Sequence, residues 1–119
     1  MMVPILKQGH VLIATIMAAL SDEDMRQFRE ALLDRVVTSR ATAVIIDVMA
    51  MDVLDSFATR TLREIAYMTR LRGAKTVLVG VQPEVAMTMV QLGLHLEGVA
   101  TALDLEEGLA YLDRTNRRR

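Results

Sequence analysis

Short apolar runs alternate with longer segments of helical periodicity along most of the chain, and this alternation constrains the fold more than any other feature. Residues 43–48 form a short, β-branched run that is apolar at both alternating positions, as expected for a strand covered by helices on both faces. Before it, a cap-type residue, Ser21, precedes an apolar stripe at helical spacing. The stripe consists of Met25, Phe28, Leu32, Leu33 and Val36. Such an alternation predicts a largely parallel sheet with right-handed crossovers.

The chain opens with two apolar runs, residues 4–6 and 11–16, joined by a short connection that contains Gly9. A connection this short predicts an antiparallel hairpin. Cap, proline and glycine signals then predict further helices starting near Ser56, Pro83 and Asp104, and further strands at residues 75–79 and 99–103. The order β-β-α-β-α-β-α-β-α predicts an α/β fold. We expect one domain with a mixed, mostly parallel sheet, an N-terminal antiparallel hairpin and about four helices.

Length and composition narrow the classes of protein to which the chain can belong. The 119 residues suit one domain, placed at residues 1–113, and we interpret residues 114–119, with Arg114, Arg117, Arg118 and Arg119, as a solvated basic tail. Although 52% of the residues are hydrophobic, no apolar run approaches the roughly 18 residues that span a bilayer. A net charge of −1 gives no field that would gather nucleic acid. Without cysteines or a secretory signal pattern, we expect a cytoplasmic protein that binds neither membrane nor nucleic acid.

The pair Asp55-Ser56 is the most informative local feature, because it stands where strand 43–48 passes through a short loop into the next helix. The first N–H groups of a helix lack internal partners and its dipole is positive there, so a serine at this place can carry a phosphate. Two readings stay open. Ser56 is an ordinary N-cap, or Asp55 is the cap and the Ser56 side chain is free for modification. We hypothesise a phosphorylation switch at Ser56.

A helical wheel divides the helix after Asp55 into an inward and an outward side. The inward side comprises Ala58, Thr61, Leu62, Ile65, Met68 and Thr69. The outward side comprises Ser56, Arg60, Arg63, Tyr67 and Arg70. The hydroxyl of Ser56 is therefore predicted to be accessible, with the guanidinium of Arg60 one turn away and within reach of a phosphate oxygen.

The residue types that catalysis or metal binding requires do not occur in suitable patterns. No Gly-x-Ser-x-Gly sequence surrounds Ser56, and a triad would need His10 or His95 to reach it. The carboxylates of residues 47–55 lack the spacing of a calcium loop, and the glycines form no phosphate-binding loop. We predict no catalytic residue, no metal site and no cofactor.

Two alternatives come from other functional classes. A receiver-type domain that is phosphorylated on Asp47, at the end of the central strand, has a similar size and alternation. However, residues 11–16 supply no metal-binding carboxylate, and the β-β opening departs from a regular βα repeat. A purely architectural module, or the regulatory appendage of an anion transporter, would bind partners without serine chemistry.

Residues 3–112 resemble the STAS domain of anti-sigma-factor antagonists, in particular its small stressosome scaffold branch of the RsbS type. The resemblance rests on VIID at 44–47, DVLDSF at 52–57, RGAK at 72–75, GVQP at 80–83 and TALDLEEGL at 101–109. It implies a non-catalytic scaffold that self-associates in a large assembly with STAS-containing co-antagonist paralogues of the RsbR type. It also implies capture of a serine/threonine switch kinase of the RsbT type.

Within this resemblance, Ser56 corresponds to the phosphoacceptor. The kinase would phosphorylate the scaffold under stress and leave it, and a resetting phosphatase would restore the unmodified form. Sporulation-type antagonists carry an Asp-Ser-Ser-Gly-like motif, whereas this chain reads DSFA at 55–58, which favours the scaffold branch over direct binding of a sigma-factor inhibitor. The candidate partner-binding residues are Asp55, Phe57, Arg60, Arg63, Met49 and Met51. The two methionines alternatively fill the core.

Overall fold

A computed structural model describes the backbone of residues 2–117 and the side chains through Thr115. The strands are β1 (Ile5–Gln8), β2 (Val11–Thr15), β3 (Ala43–Asp47), β4 (Lys75–Val79) and β5 (Ala100–Ala102). The helices are α1 (Asp22–Ser39), α2 (Ser56–Leu71), α3 (Pro83–Gln91) and α4 (Leu105–Arg117). The predicted α/β order and the helix starts at Ser56 and Pro83 are confirmed.

The five strands form one mixed sheet in the order β1-β2-β3-β4-β5. β1 pairs with β2 antiparallel, with Gln8 opposite Val11, so the predicted hairpin is confirmed. Gly9 in its turn has a φ of +61°, a conformation that glycine adopts without steric penalty. The remaining neighbours are parallel, which brings the carboxyl ends of β2, β3, β4 and β5 to one edge of the sheet.

Both faces of the sheet are covered, as the apolar character of residues 43–48 predicted. Val44 and Ile46 of β3 pack into a large core with residues from α1, α2 and α3, including Phe28, Leu62 and Val85. Ala43 and Ile45 of the same strand face a smaller core closed by Leu112 of α4. The alternation of side chains along a strand directs successive residues to opposite layers. The site described below lies at the edge where the strands of this three-layered body end.

The predicted caps of α1 and α4 are present. Ser21 Oγ accepts from Asp24 N at 3.1 Å, and Asp24 Oδ2 accepts from Ser21 N at 3.4 Å, which is a capping box. Asp104 Oδ1 accepts from Glu107 N at 2.9 Å. α4 continues to Arg117, so residues 114–117 are helical where the sequence predicted a basic tail. Arg118 and Arg119 lie outside the described residues, and the domain boundary at residue 113 stays a prediction.

Candidate functional site

At the carboxyl edge of the sheet, backbone hydrogen bonds connect the segments that follow the strands. Ile16 N donates to Asp47 O at 3.0 Å, and Val48 N donates to Val79 O at 3.0 Å. Gly80 N donates to Ala102 O at 3.4 Å. These bonds extend the parallel ladder beyond the strands and fix the loops relative to one another. We call this part of the molecule the carboxyl edge: residues 16–21, 48–55, 80–82 and 103–104 with the first turn of α2.

The loop before α2 is held at both of its ends. At its start, Met49 N donates to Asp47 Oδ1 at 2.9 Å and Gln82 Nε2 donates to Met49 O at 2.6 Å. Further along, the side chains of Met51 and Leu54 are buried in the core. Two buried anchors and two hydrogen bonds leave little freedom to the loop, so the residue at its end enters the helix in a defined position.

Asp55 is the N-cap of α2, which resolves the alternative left open by the sequence. Its Oδ1 accepts from Ala58 N at 2.8 Å. Ser56 is therefore the first helical residue, and it is exposed. The Ser56 hydroxyl forms no hydrogen bond within the described residues. Because Asp55 satisfies the helix end, this hydroxyl is available for reaction.

Phe57 contacts two guanidinium groups. The Arg26 Cζ of α1 is 5.0 Å from the ring centroid and the Arg60 Cζ of α2 is 5.7 Å from it. Both distances suit cation–π attraction. The ring itself is half-buried against the core, so a partly exposed aromatic side chain with two positive charges over it adjoins Ser56. Arg26 was missed from the sequence, because no local pattern indicates that α1 brings it to Phe57.

Arg63 does not join this group. Its Nη1 donates to His95 O at 3.0 Å, which ties the side chain to the loop after α3. Arg29 of α1 pairs with Glu64 of α2 at 3.2 Å. Arg60 and Arg63 form no ion pair with a carboxylate of residues 2–115, and Arg60 is the one of the two whose guanidinium lies over the ring next to Ser56.

The inward side of α2 differs in part from the helical wheel. Met68 was predicted to be inward, but 39% of it is exposed. Thr59 and Ala66 are buried instead, and the Oγ1 of Thr59 has no hydrogen-bond partner within the described residues. The reason is that α2 packs against α1 as well as against the sheet. More of its surface is therefore buried than in a helix that packs against a sheet alone.

The two candidate methionines behave oppositely. Met49 is 54% exposed, whereas Met51 is 2% exposed and part of the core, so Met51 fills the core and is not accessible to a partner. Three further large apolar side chains of the carboxyl edge are exposed, Met17, Val53 and Leu103, and no local sequence pattern indicated them. Together with Phe57 they give the carboxyl edge an apolar character around the polar Ser56.

Within residues 2–117, no group of three histidine, cysteine, aspartate or glutamate residues is placed to hold a metal ion. Asp47, the alternative phosphorylation site, accepts a hydrogen bond from the backbone of Met49 and lies beside Gly80. Its observed role is therefore to shape the loop. Among the helices of the described part, none is both long enough and apolar enough to cross a membrane.

Comparison with known proteins gives consistent results. The family model described as STAS domain matches residues 2–108. The RsbT co-antagonist protein RsbRA of Bacillus subtilis (strain 168) is 31% identical over 110 residues, which are 92% of this chain and 40% of that protein. The chain thus spans well under half the length of this curated relative.

Two solved structures match almost end to end. RsbS from Moorella thermoacetica, in a form in which one serine is replaced by glutamate, is 39% identical, with 97% of both chains covered and a TM-score of 0.84. A chain from a structure of the stressosome, described as a signal integration and transduction hub, is 38% identical. In that pair 96% of this chain and 99% of the other are covered, and the TM-score is 0.78.

Proposed function

The chain belongs to the STAS domain family, with relatives among stressosome proteins of the RsbS and RsbR types. From this we propose that it captures a serine/threonine kinase and releases the kinase when Ser56 is phosphorylated. Stressosome and antagonist proteins of this family are generally non-catalytic scaffolds, and the proposed role likewise needs no catalytic residue. The place of action we propose is the cytoplasm.

The observation that carries this proposal is that Asp55, and not Ser56, is the N-cap of α2. The carboxylate of Asp55 caps α2, and the neighbouring hydroxyl is exposed and unbonded within the described residues. Ser21 offers a contrast on the same edge, because its hydroxyl is consumed in the capping box of α1 and three acids follow it. A kinase that reaches this edge would find a free hydroxyl at Ser56 and an engaged one at Ser21.

The surface around Ser56 has the mixed character of a protein contact. The exposed apolar side chains of Met17, Met49, Val53 and Leu103 lie on the carboxyl edge. Phe57, which has two guanidinium groups over its ring, directly follows Ser56 in the first turn of α2. Aromatic, methionine and arginine side chains are the types enriched where proteins dock. We infer that the kinase covers this surface, which we call the Ser56 surface.

Phosphorylation would weaken such a complex through charge. A phosphate adds about −1.5 to −2 charges, next to the exposed carboxylate of the neighbouring Asp55. Burying it against a partner shaped for a neutral hydroxyl adds desolvation and repulsion. A hundredfold loss of affinity corresponds to about 2.7 kcal/mol, which one poorly compensated buried charge supplies. In the free protein, the positive end of α2 and Arg60 accommodate the phosphate.

The proposal extends to partners. Association with paralogues of the RsbR type is supported by similarity to RsbRA and by the match to a stressosome chain. The kinase of the RsbT type and the resetting phosphatase follow from the family resemblance. Since the chain covers only a fraction of the curated relatives, the whole-protein activities of those relatives are not carried over.

Site mapping tests the phosphorylation step. The protein is incubated with its cognate kinase and ATP, and the added phosphate is located by peptide mass spectrometry. We expect modification of Ser56, its loss in Ser56→Ala and its retention in Ser21→Ala, the matched control at the start of α1. Phosphate on Ser21 with Ser56 unmodified, or a hydroxylamine-labile label on Asp47, would overturn the proposal.

A further inference from the structure

A cleft opens at the opposite end of the sheet, about 20 Å along α2 from Ser56 at the usual helical rise. It lies between the C-terminal end of α2, the start of β4 and the loop that leads into β5, and its volume is about 550 Å³. Small residues form much of its wall: Ala66, Gly73, Ala74, Gly98 and Ala100. Volumes of about 300–1,000 Å³ are typical of sites that hold small molecules.

Two cations, Arg70 and Lys75, line this cleft. The ion pairs among residues 2–115 are Arg26–Glu23 and Arg29–Glu64, so neither cleft cation is paired with a carboxylate there. Instead, each lies over an aromatic ring. Arg70 Cζ is 5.8 Å from the centroid of Tyr67, and Lys75 Nζ is 5.7 Å from that of Tyr111.

Ring contacts position these charges without neutralising them. Lys75 is half-buried, and a partly desolvated ammonium retains only part of its stabilisation from a neutral ring. Arg70 lies in the last turn of α2, where it also offsets the negative end of the helix dipole. Two positive groups that line one cleft and form no ion pair in the described residues favour an anionic occupant.

The wall of the cleft allows such an occupant to come close. Gly98 has a φ of +78°, and a Cβ at this position would lie 3.9 Å from Arg70 Nη2. Because Gly98 has no side chain, it does not cover the guanidinium of Arg70. Gly73 is likewise a left-handed residue, with a φ of +83°. The backbone is therefore exposed on two sides of the cleft, beside the two cations.

We propose that this cleft binds a small phosphate-bearing anion, with the guanidinium of Arg70 and the ammonium of Lys75 as its charged partners. A guanidinium offers two parallel N–H donors that match phosphate oxygens, and an ammonium adds a compact point charge. The walls of small residues leave room for the organic part of such a molecule. Since the cleft and Ser56 lie at opposite ends of the sheet, this inference does not depend on the phosphorylation switch.

Titration of the full chain with inorganic pyrophosphate at low ionic strength tests the proposal, followed by amide NMR and calorimetry. We expect saturable shifts at the Gly73 and Gly98 amides. Arg70→Gln and Lys75→Gln should each weaken binding by about tenfold or more, as for loss of a charge-assisted hydrogen bond. Arg72→Gln is the matched control, because it removes one positive charge between Arg70 and Lys75 in the sequence, at a residue that does not line the cleft.

Two results would overturn the inference. One is the absence of shifts at Gly73 and Gly98 at millimolar pyrophosphate. The other is an equal loss of affinity in all three variants, which would mean that pyrophosphate responds to overall charge and not to this cleft. Far-ultraviolet circular dichroism of each variant verifies that the fold is retained, so a loss of binding reports on the cleft.

Discussion

Gly80→Ala is the perturbation that most sharply tests how the carboxyl edge is built. Gly80 has a φ of +81°, and a Cβ there would lie 3.0 Å from Asp47 Oδ1, 3.0 Å from Met49 Cβ and 3.1 Å from Met49 N. Gly73 has nearly the same φ, +83°, but nothing lies within 4 Å of its Cβ position. The pair therefore separates backbone strain from collision, because both variants incur the first and only one incurs the second.

The expected magnitudes follow from this difference. A left-handed alanine costs about 1–2 kcal/mol, which applies to both variants. The contacts at Gly80 add roughly 1–3 kcal/mol, since the backbone of Met49 is held by Asp47 and Gln82 and cannot yield freely. Gly80→Ala should thus lower the free energy of unfolding by at least about 1 kcal/mol more than Gly73→Ala, or roughly 4 °C in Tm for a domain of this size.

Urea denaturation of both variants measures the difference, with thermal melting as a second readout. Amide NMR should also show that Gly80→Ala shifts residues 49–57, whereas Gly73→Ala leaves them in place. Equal destabilisation of the two variants, or an undisturbed loop in Gly80→Ala, would refute the reasoning that Gly80 is required for close approach to Asp47 and Met49.

Other buried contacts give further predictions, each checked by urea denaturation. Thr59→Val should leave the free energy of unfolding unchanged or raise it by up to about 1 kcal/mol, because it removes a buried hydroxyl with no partner in the described residues; a measurable decrease in the free energy of unfolding would contradict this. Thr69 and Thr76 share a buried hydrogen bond of 2.7 Å, and Thr69 Oγ1 also donates to a backbone carbonyl. Thr69→Val should therefore destabilise more than Thr76→Val, by about 1 kcal/mol, since it alone leaves the other hydroxyl unpaired; the reverse order would contradict this. Gly108→Ala should destabilise by about 1–3 kcal/mol despite the better helix propensity of alanine, because its Cβ would lie 2.9 Å from Val79 Cγ1; a stabilised variant would refute this.

Local signals in the sequence predicted most of the architecture. The caps at Ser21 and Asp104, the proline at the start of α3 and the glycine in the hairpin turn each act through neighbours within a few residues, so a single chain reveals them. The apolar character of residues 43–48 predicted burial on both faces because successive side chains of a strand point to opposite layers. The position of Ser56 at the start of α2 followed from the same local rules.

Features that depend on distant packing could not be predicted in this way. Met49 and Met51 are alike by composition, but only the packing of the loop decides that one is exposed and the other buried. Arg26 reaches Phe57 because α1 and α2 lie side by side, and the burial of Thr59 has the same kind of origin. The cleft between α2, β4 and β5 likewise exists only once three separate segments meet.

The most direct test of the central claim is the affinity of the cognate kinase for the protein in two states, unmodified and phosphorylated on Ser56, measured by calorimetry at fixed ionic strength. We predict that the phosphorylated protein binds about a hundredfold more weakly, equivalent to about 2.7 kcal/mol. Ser56→Ala should bind as tightly as the unmodified protein, and Ser56→Asp should be weakened by less than the phosphate. Equal affinity of the kinase for the unmodified and phosphorylated forms would contradict the claim that charge at Ser56 controls release.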